Sequence, residues 1–171
     1  MPFHSHVILY RTMNKINILI ISILLLLLTG CNEVTATDQN LPKQIVENPY
    51  ATKQILVLSK LNTYKAQLIE RLTKRLGKTY SFTIDDLSTI YTYNFSHYKS
   101  VVLIETPAEN NMPTLDPYFK DFAGITNFTI LAVTDKPYKP SSNFEIMVLK
   151  PNTENITETA EIIIDKIRTQ R

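Results

Sequence analysis

Glycine and cysteine are almost missing from this chain. Gly30, Gly77 and Gly124 are its only three glycines. That leaves no glycine-rich turn of the kind that lets backbone N–H groups close on a phosphate. No serine is flanked by the glycines of a nucleophile elbow. Cys31 is the single cysteine, so no internal disulfide forms and no thiolate cluster can hold zinc. Beyond residue 30 there is one histidine, His97, too few for a histidine-based zinc site. The formal excess of positive charge is also superficial. Arg11 and Lys15 are the only charged residues before Cys31, and from there on acids and bases balance. A nucleic-acid binder carries a basic patch or stripe, and none is visible, so nucleic acid is not an expected partner.

What the chain does have is one long apolar run, Ile16 to Leu28, broken only by Asn17 and Ser22. It is short for a spanning helix, which needs about 20 mostly apolar residues. A basic start at Lys15, an apolar centre and small residues at its end are the three parts of a secretory signal. The run closes on Leu28-Thr29-Gly30-Cys31, which resembles the lipobox of bacterial lipoprotein precursors. Met13-Asn14-Lys15 makes a more compact start than Met1, so translation is expected from Met13.

The resemblance implies cleavage before Cys31 and a diacylglyceryl thioether on its sulfur, with palmitate-type chains. It places the mature protein in the cell envelope, membrane-anchored outside the cytoplasm. Two or more acyl chains hold stably where one is marginal. The chain then divides into a signal peptide (1–30), a lipidated flexible tether (31–52) containing Pro42 and Pro49, and a folded domain (53–171).

Five strands are expected in that domain, at 54–59, 80–84, 101–104, 128–133 and 144–149. The first, third and fourth read as continuous apolar runs, the pattern of strands covered on both faces. The second and fifth alternate and are expected at the edges. Leu61, Leu68, Leu72 and Leu76 recur at helical spacing, with Asn62 as N-cap and Gly77 as stop. A shorter helix is expected over 114–122, burying Leu115, Phe119 and Phe122. A final helix carries the stripe Ile156, Ala160, Ile163, Ile164 and Ile167. The connection 134–143 holds Pro137 and Pro140 and no crossover helix, leaving the fifth strand either parallel or antiparallel.

This rhythm resembles a small flavodoxin-like domain. The likeness is greatest around Tyr98-Lys99-Ser100-Val101-Val102-Leu103-Ile104-Glu105-Thr106-Pro107. The fold class expected is therefore α/β, a three-layer sandwich on a mostly parallel five-stranded sheet of order 2-1-3-4-5. The resemblance implies FMN as the possible cofactor. Ser59, Asn62 and Thr63 would hold its phosphate, Asn110 and Asn111 its ring edge, and Tyr138 would face the ring. The turn Ser59-Lys60-Leu61-Asn62-Thr63 departs from the pattern, having no glycine. Asn62 then serves only as a helix cap, and Tyr138 only as a loop tyrosine.

Other constellations are sparse. Asp85-Asp86 is either an acid–base pair or a turn start. His97 joins Ser59 or Ser88 only on paper. Tyr91, Tyr93 and Phe95 share a face if their segment is extended. The receiver domain has the same fold, but Ser59-Lys60 lacks its metal-binding acids. No catalytic residue and no metal ligand is assigned. Two readings remain. One is a non-catalytic binding or assembly module that meets an envelope protein through loops 108–113 and 134–143. The other is a membrane-tethered FMN electron carrier.

Overall fold

Residues 54–59 build the central strand, and their alternation sets the two cores of the domain. A computed structural model describes residues 38–109, 111–139, 144–152 and 154–170. The expected signal peptide with Met13, the lipobox-like Leu28-Thr29-Gly30-Cys31, and Asn110 lie outside the described residues. The sheet has six strands: β1 (Gln44–Val46), β2 (Gln54–Ser59), β3 (Ser81–Asp86), β4 (Ser100–Glu105), β5 (Phe128–Val133) and β6 (Ile146–Leu149). Their order is β1-β3-β2-β4-β5-β6. β2 to β6 run parallel, and β1 joins β3 antiparallel.

The α/β class is as expected, but the five-stranded count and order are corrected by β1. That strand comes from residues expected to be tether. Gln44, Ile45 and Val46 pair with Ile84, Thr83 and Phe82, so β3 is not an edge. Leu41 is buried in the core, and Gln39 forms a bridge with Leu61. Residues 38–52 therefore belong to the domain. Three-residue β1 has no hydrophobic periodicity to announce it, because β3 supplies its ladder partners. The fifth strand of the sequence reading, β6, is parallel and lies at the edge.

Successive side chains of a strand point to opposite faces. Ile55 and Val57 face one core, with Val102, Ile104, Leu131 and Val133. Helices α1 (Thr63–Leu76) and α2 (Ile156–Thr169) cover that face through Leu68, Leu72, Leu76, Ile163, Ile164 and Ile167. Arg75 and Glu161 join the two helices at 2.8 Å. α1 ends at Gly77, where a Cβ would meet the Thr73 carbonyl oxygen at 2.5 Å. Close approach, rather than a left-handed backbone, is what requires glycine there.

Leu56 and Leu58 face the second core, with Val101, Leu103, Ile130 and Ala132. No α-helix covers this face among the described residues. Its cover is made of 3-10 turns, Leu87–Thr92, Phe95–His97 and Asp116–Tyr118, and of aromatic side chains. The helix expected over 114–122 is corrected to one such turn. Leu115 and Phe122 are buried as expected. Their anchoring comes from rings, Phe122 lying 4.6 Å from Phe128 and 5.9 Å from Phe95, rather than from a nucleated helix. Among the described residues, no helix is long and apolar enough to cross a membrane.

Candidate functional site

In an open parallel sheet, ligands meet the crevice outside the C-terminal ends of the strands, where the winding reverses. Here that place lies between the ends of β2 and β4, because β2 is flanked by β3 and β4. Ser59 ends β2 and Glu105 ends β4. The turn after β2 leads into α1, whose N-terminal N–H groups lack helical partners.

Those groups are served from within the chain. The Asn62 side chain accepts from the Lys65 N–H at 2.9 Å and so caps α1. Its amide donates to Asp38 Oδ1 at 2.8 Å. Lys65 Nζ donates to Asp38 Oδ2 at 2.6 Å. One carboxylate thus takes both donors. The Lys65 side chain is 0 % exposed. Burial pushes its ammonium pKa down, while the hydrogen bond and charge of Asp38, and the charge of Glu105, push it back up.

Residues 38–41 form a strap across this turn. Gln39 and Leu61 exchange backbone hydrogen bonds at 2.8 and 2.7 Å. Leu41 N–H donates to Asp86 Oδ2 at 2.9 Å. Lys60 Nζ reaches Asp86 Oδ1 at 2.9 Å and Asn40 Oδ1 at 2.8 Å. Asp86 also accepts the N–H and the hydroxyl of Ser88. Burial raises its carboxyl pKa, but the Ser88 hydroxyl, Lys60 and the two N–H donors outweigh it and bring the value to about 2.

On the β4 side, Glu105 accepts the N–H groups of Thr114 and Leu115 at 2.7 and 3.1 Å. Desolvation nevertheless holds its pKa above the usual range. Glu105 is therefore a post that fixes the following loop. Asn111 closes a tight turn by exchanging backbone hydrogen bonds with Ala108, and Glu109 adopts a left-handed φ of 55° within it.

The strand–turn–helix brings Ser59, Asn62 and Thr63 near one another, but their polar atoms do not converge on a vacant point. Ser59 is buried and donates to the Lys60 carbonyl at 2.6 Å. Thr63 is exposed. Tyr138 is half-buried in the second core, where burial, Asp116 and Glu105 raise its pKa. Asn111 is exposed.

Asp85 and Asp86 do not act as a pair either. Asp85 Oδ2 accepts the Tyr93 hydroxyl at 2.5 Å, and Asp86 starts the 3-10 turn. His97 precedes β4, whereas Ser59 and Ser88 lie at or just beyond strand ends. In this sheet those are opposite ends, a strand length of about 17–20 Å apart. No serine–histidine dyad forms from them. The Tyr91, Tyr93, Phe95 face is corrected too. The segment is 3-10 rather than extended, so Tyr91 stands out at 73 % exposure while Tyr93 and Phe95 pack on the core.

No family model, no curated protein and no solved structure matches this chain. The site therefore rests on its own chemistry. Among the described residues no cluster of three or more His, Cys, Asp or Glu side chains is placed to hold a metal ion. Sequence reasoning missed Asp38 and Lys65, and it named Lys60 and Glu105 without giving either a role. Lys65 did carry a signal, since it falls on the apolar stripe one turn from Leu61 and Ile69. Asp38 carried none, because its partner lies 27 residues away.

Proposed function

We propose that the protein is a lipid-anchored envelope lipoprotein whose domain, flavodoxin-like in architecture, is a non-catalytic binding or assembly module. The observation that carries the module reading is the Asp38 carboxylate held by Asn62 and Lys65. A flavin phosphate would need the donors that Asp38 already uses, and it would bring a dianion beside Asp86 and Glu105. The anchor reading rests on Leu28-Thr29-Gly30-Cys31 and the apolar run before it.

Two measurements test the proposal. Mass spectrometry of the full chain expressed in a bacterial host should find a lipidated N-terminal Cys31, and Cys31→Ser should leave the membrane fraction. Purified protein should be colourless and show no thermal shift with FMN. A bound yellow chromophore would replace the module with the tethered electron carrier. An unmodified Cys31 with an intact leader would remove the anchor.

A further inference from the structure

A second concavity lies away from the strap. It is a cleft of about 870 Å3 across the N-terminal ends of β2, β4 and β5. Residues 93–99 form one wall, and Thr52, Lys53 and residues 125–127 complete it. This volume sits at the upper end of the range for ligand clefts, enough for several linked residues.

The wall is preorganised. Asn127 Nδ2 donates to the carbonyls of Phe95 and Tyr98 at 3.2 and 2.9 Å. Phe95 is gripped edge-on by Phe122 and by Phe128, whose centroid lies at 5.1 Å. Tyr93 meets Tyr98 edge-to-face at 6.1 Å, and the Tyr93 hydroxyl is tied to Asp85. Rings held in this way offer contact area at little entropic cost.

Charge selects the occupant. Lys53, Lys99 and His97 line the cleft, and no Asp or Glu does. Beyond the leader the chain carries acids and bases in equal number, so an acid-free concavity is not forced by composition. Lys99 is held by the Gln170 carbonyl. Lys53 is exposed and makes no ion pair among the described residues, as is true of His97.

We propose that this cleft is the docking site for an acidic, aromatic-bearing peptide segment of the module's partner. The proposal rests on the binding-module reading, and it moves the partner from the loops at the C-terminal ends of the strands to the opposite end of the sheet. Aromatic residues of the segment would pack against Tyr98 and Phe95, and its carboxylates would meet Lys53 and His97.

The test uses the full chain in detergent and a short fluorescein-labelled peptide of alternating Glu and Tyr. Saturable anisotropy is expected, weakening with salt, with no binding of the matching Lys and Tyr peptide. Lys53→Glu and His97→Glu alter exposed side chains, and unchanged melting curves would show that they fold. Each should weaken binding on the order of tenfold or more by like-charge repulsion. Equal binding of both peptides, or affinity untouched by the two variants, would overturn the proposal. So would binding to anionic phosphatidylglycerol vesicles with none to the peptide.

In cells, a photo-crosslinking residue at Ser96 should trap a partner that one at Asp135 does not. Crosslinks from Asp135 alone would sink this site and leave the module reading standing. Crosslinks from neither position would count against both.

Discussion

Lys65 and Asp38 show how a single residue can set the terms for its surroundings. A buried ammonium is tolerated only with a partner, and here the partner is a strap carboxylate 2.6 Å away. Removing one member of such a pair strands the other. Asp38→Ala strands a fully buried cation, and chemical denaturation should show a loss of roughly 3 kcal/mol. Lys65→Met strands only a part-exposed carboxylate and should cost clearly less. Equal losses would refute this account of the strap.

Asp86 makes a pH prediction. Its folded pKa, about 2, lies below the ordinary 3.8, so folding favours the ionised form. The stability it adds is complete above about pH 4 and disappears as pH falls through 2. Allowing for solvent around Lys60, that contribution is about 1–2 kcal/mol. Asp86→Asn should flatten this part of the acid titration of stability. An unchanged acid limb would mean that Leu41, Ser88 and Lys60 do not hold the carboxylate as described.

At the scale of elements, local signals worked where an element makes its own hydrogen bonds. The apolar stripe of α1, its Asn62 cap and its Gly77 end were all legible, because a helix's period and termini are local properties. Asn62→Ala should cost about 1 kcal/mol as a lost cap. It should cost more if the Asn62 amide also helps to hold Asp38, which a double cycle with Asp38→Ala would reveal as coupling.

Strand β1 shows the opposite case. Gln44-Ile45-Val46 has no signature of its own and exists because β3 offers an open ladder. Replacing Ile45 by Pro should peel β1 and the strap together, seen as rapid amide exchange at Phe82 and Ile84 with the helices still protected. Uniform loss of protection would instead make β1 part of the cooperative core. Leu115, Phe119 and Phe122 have helical spacing, yet the chain forms only a 3-10 turn at 116–118. The spacing is real, but stacking of Phe119 on Phe144 and packing of Phe122 on Phe128 determine the path.

At the scale of the whole molecule, one sheet carries two unlike coverings. Helices close one face by aliphatic packing, and turns close the other through aromatic rings. Since β2 and β4 contribute to both cores, the two should unfold together. Far-ultraviolet circular dichroism and tyrosine fluorescence should give coincident melts, and a separate early tyrosine transition would show that the aromatic layer is a subdomain.

The α/β class, the places of five strands and the two long helices were legible in the sequence, while the direction of the last strand was not. They were legible because buried strands and amphipathic helices write their burial into neighbouring residues. The sequence also carries Leu28-Thr29-Gly30-Cys31, the local motif on which the proposed anchor rests. Tertiary structure alone decided the sixth strand, the 3-10 covering, the Asp38–Lys65 closure and the cleft lined by Lys53, Tyr98 and Asn127. Each joins residues far apart in the chain, and no local periodicity records a partner that only folding brings near.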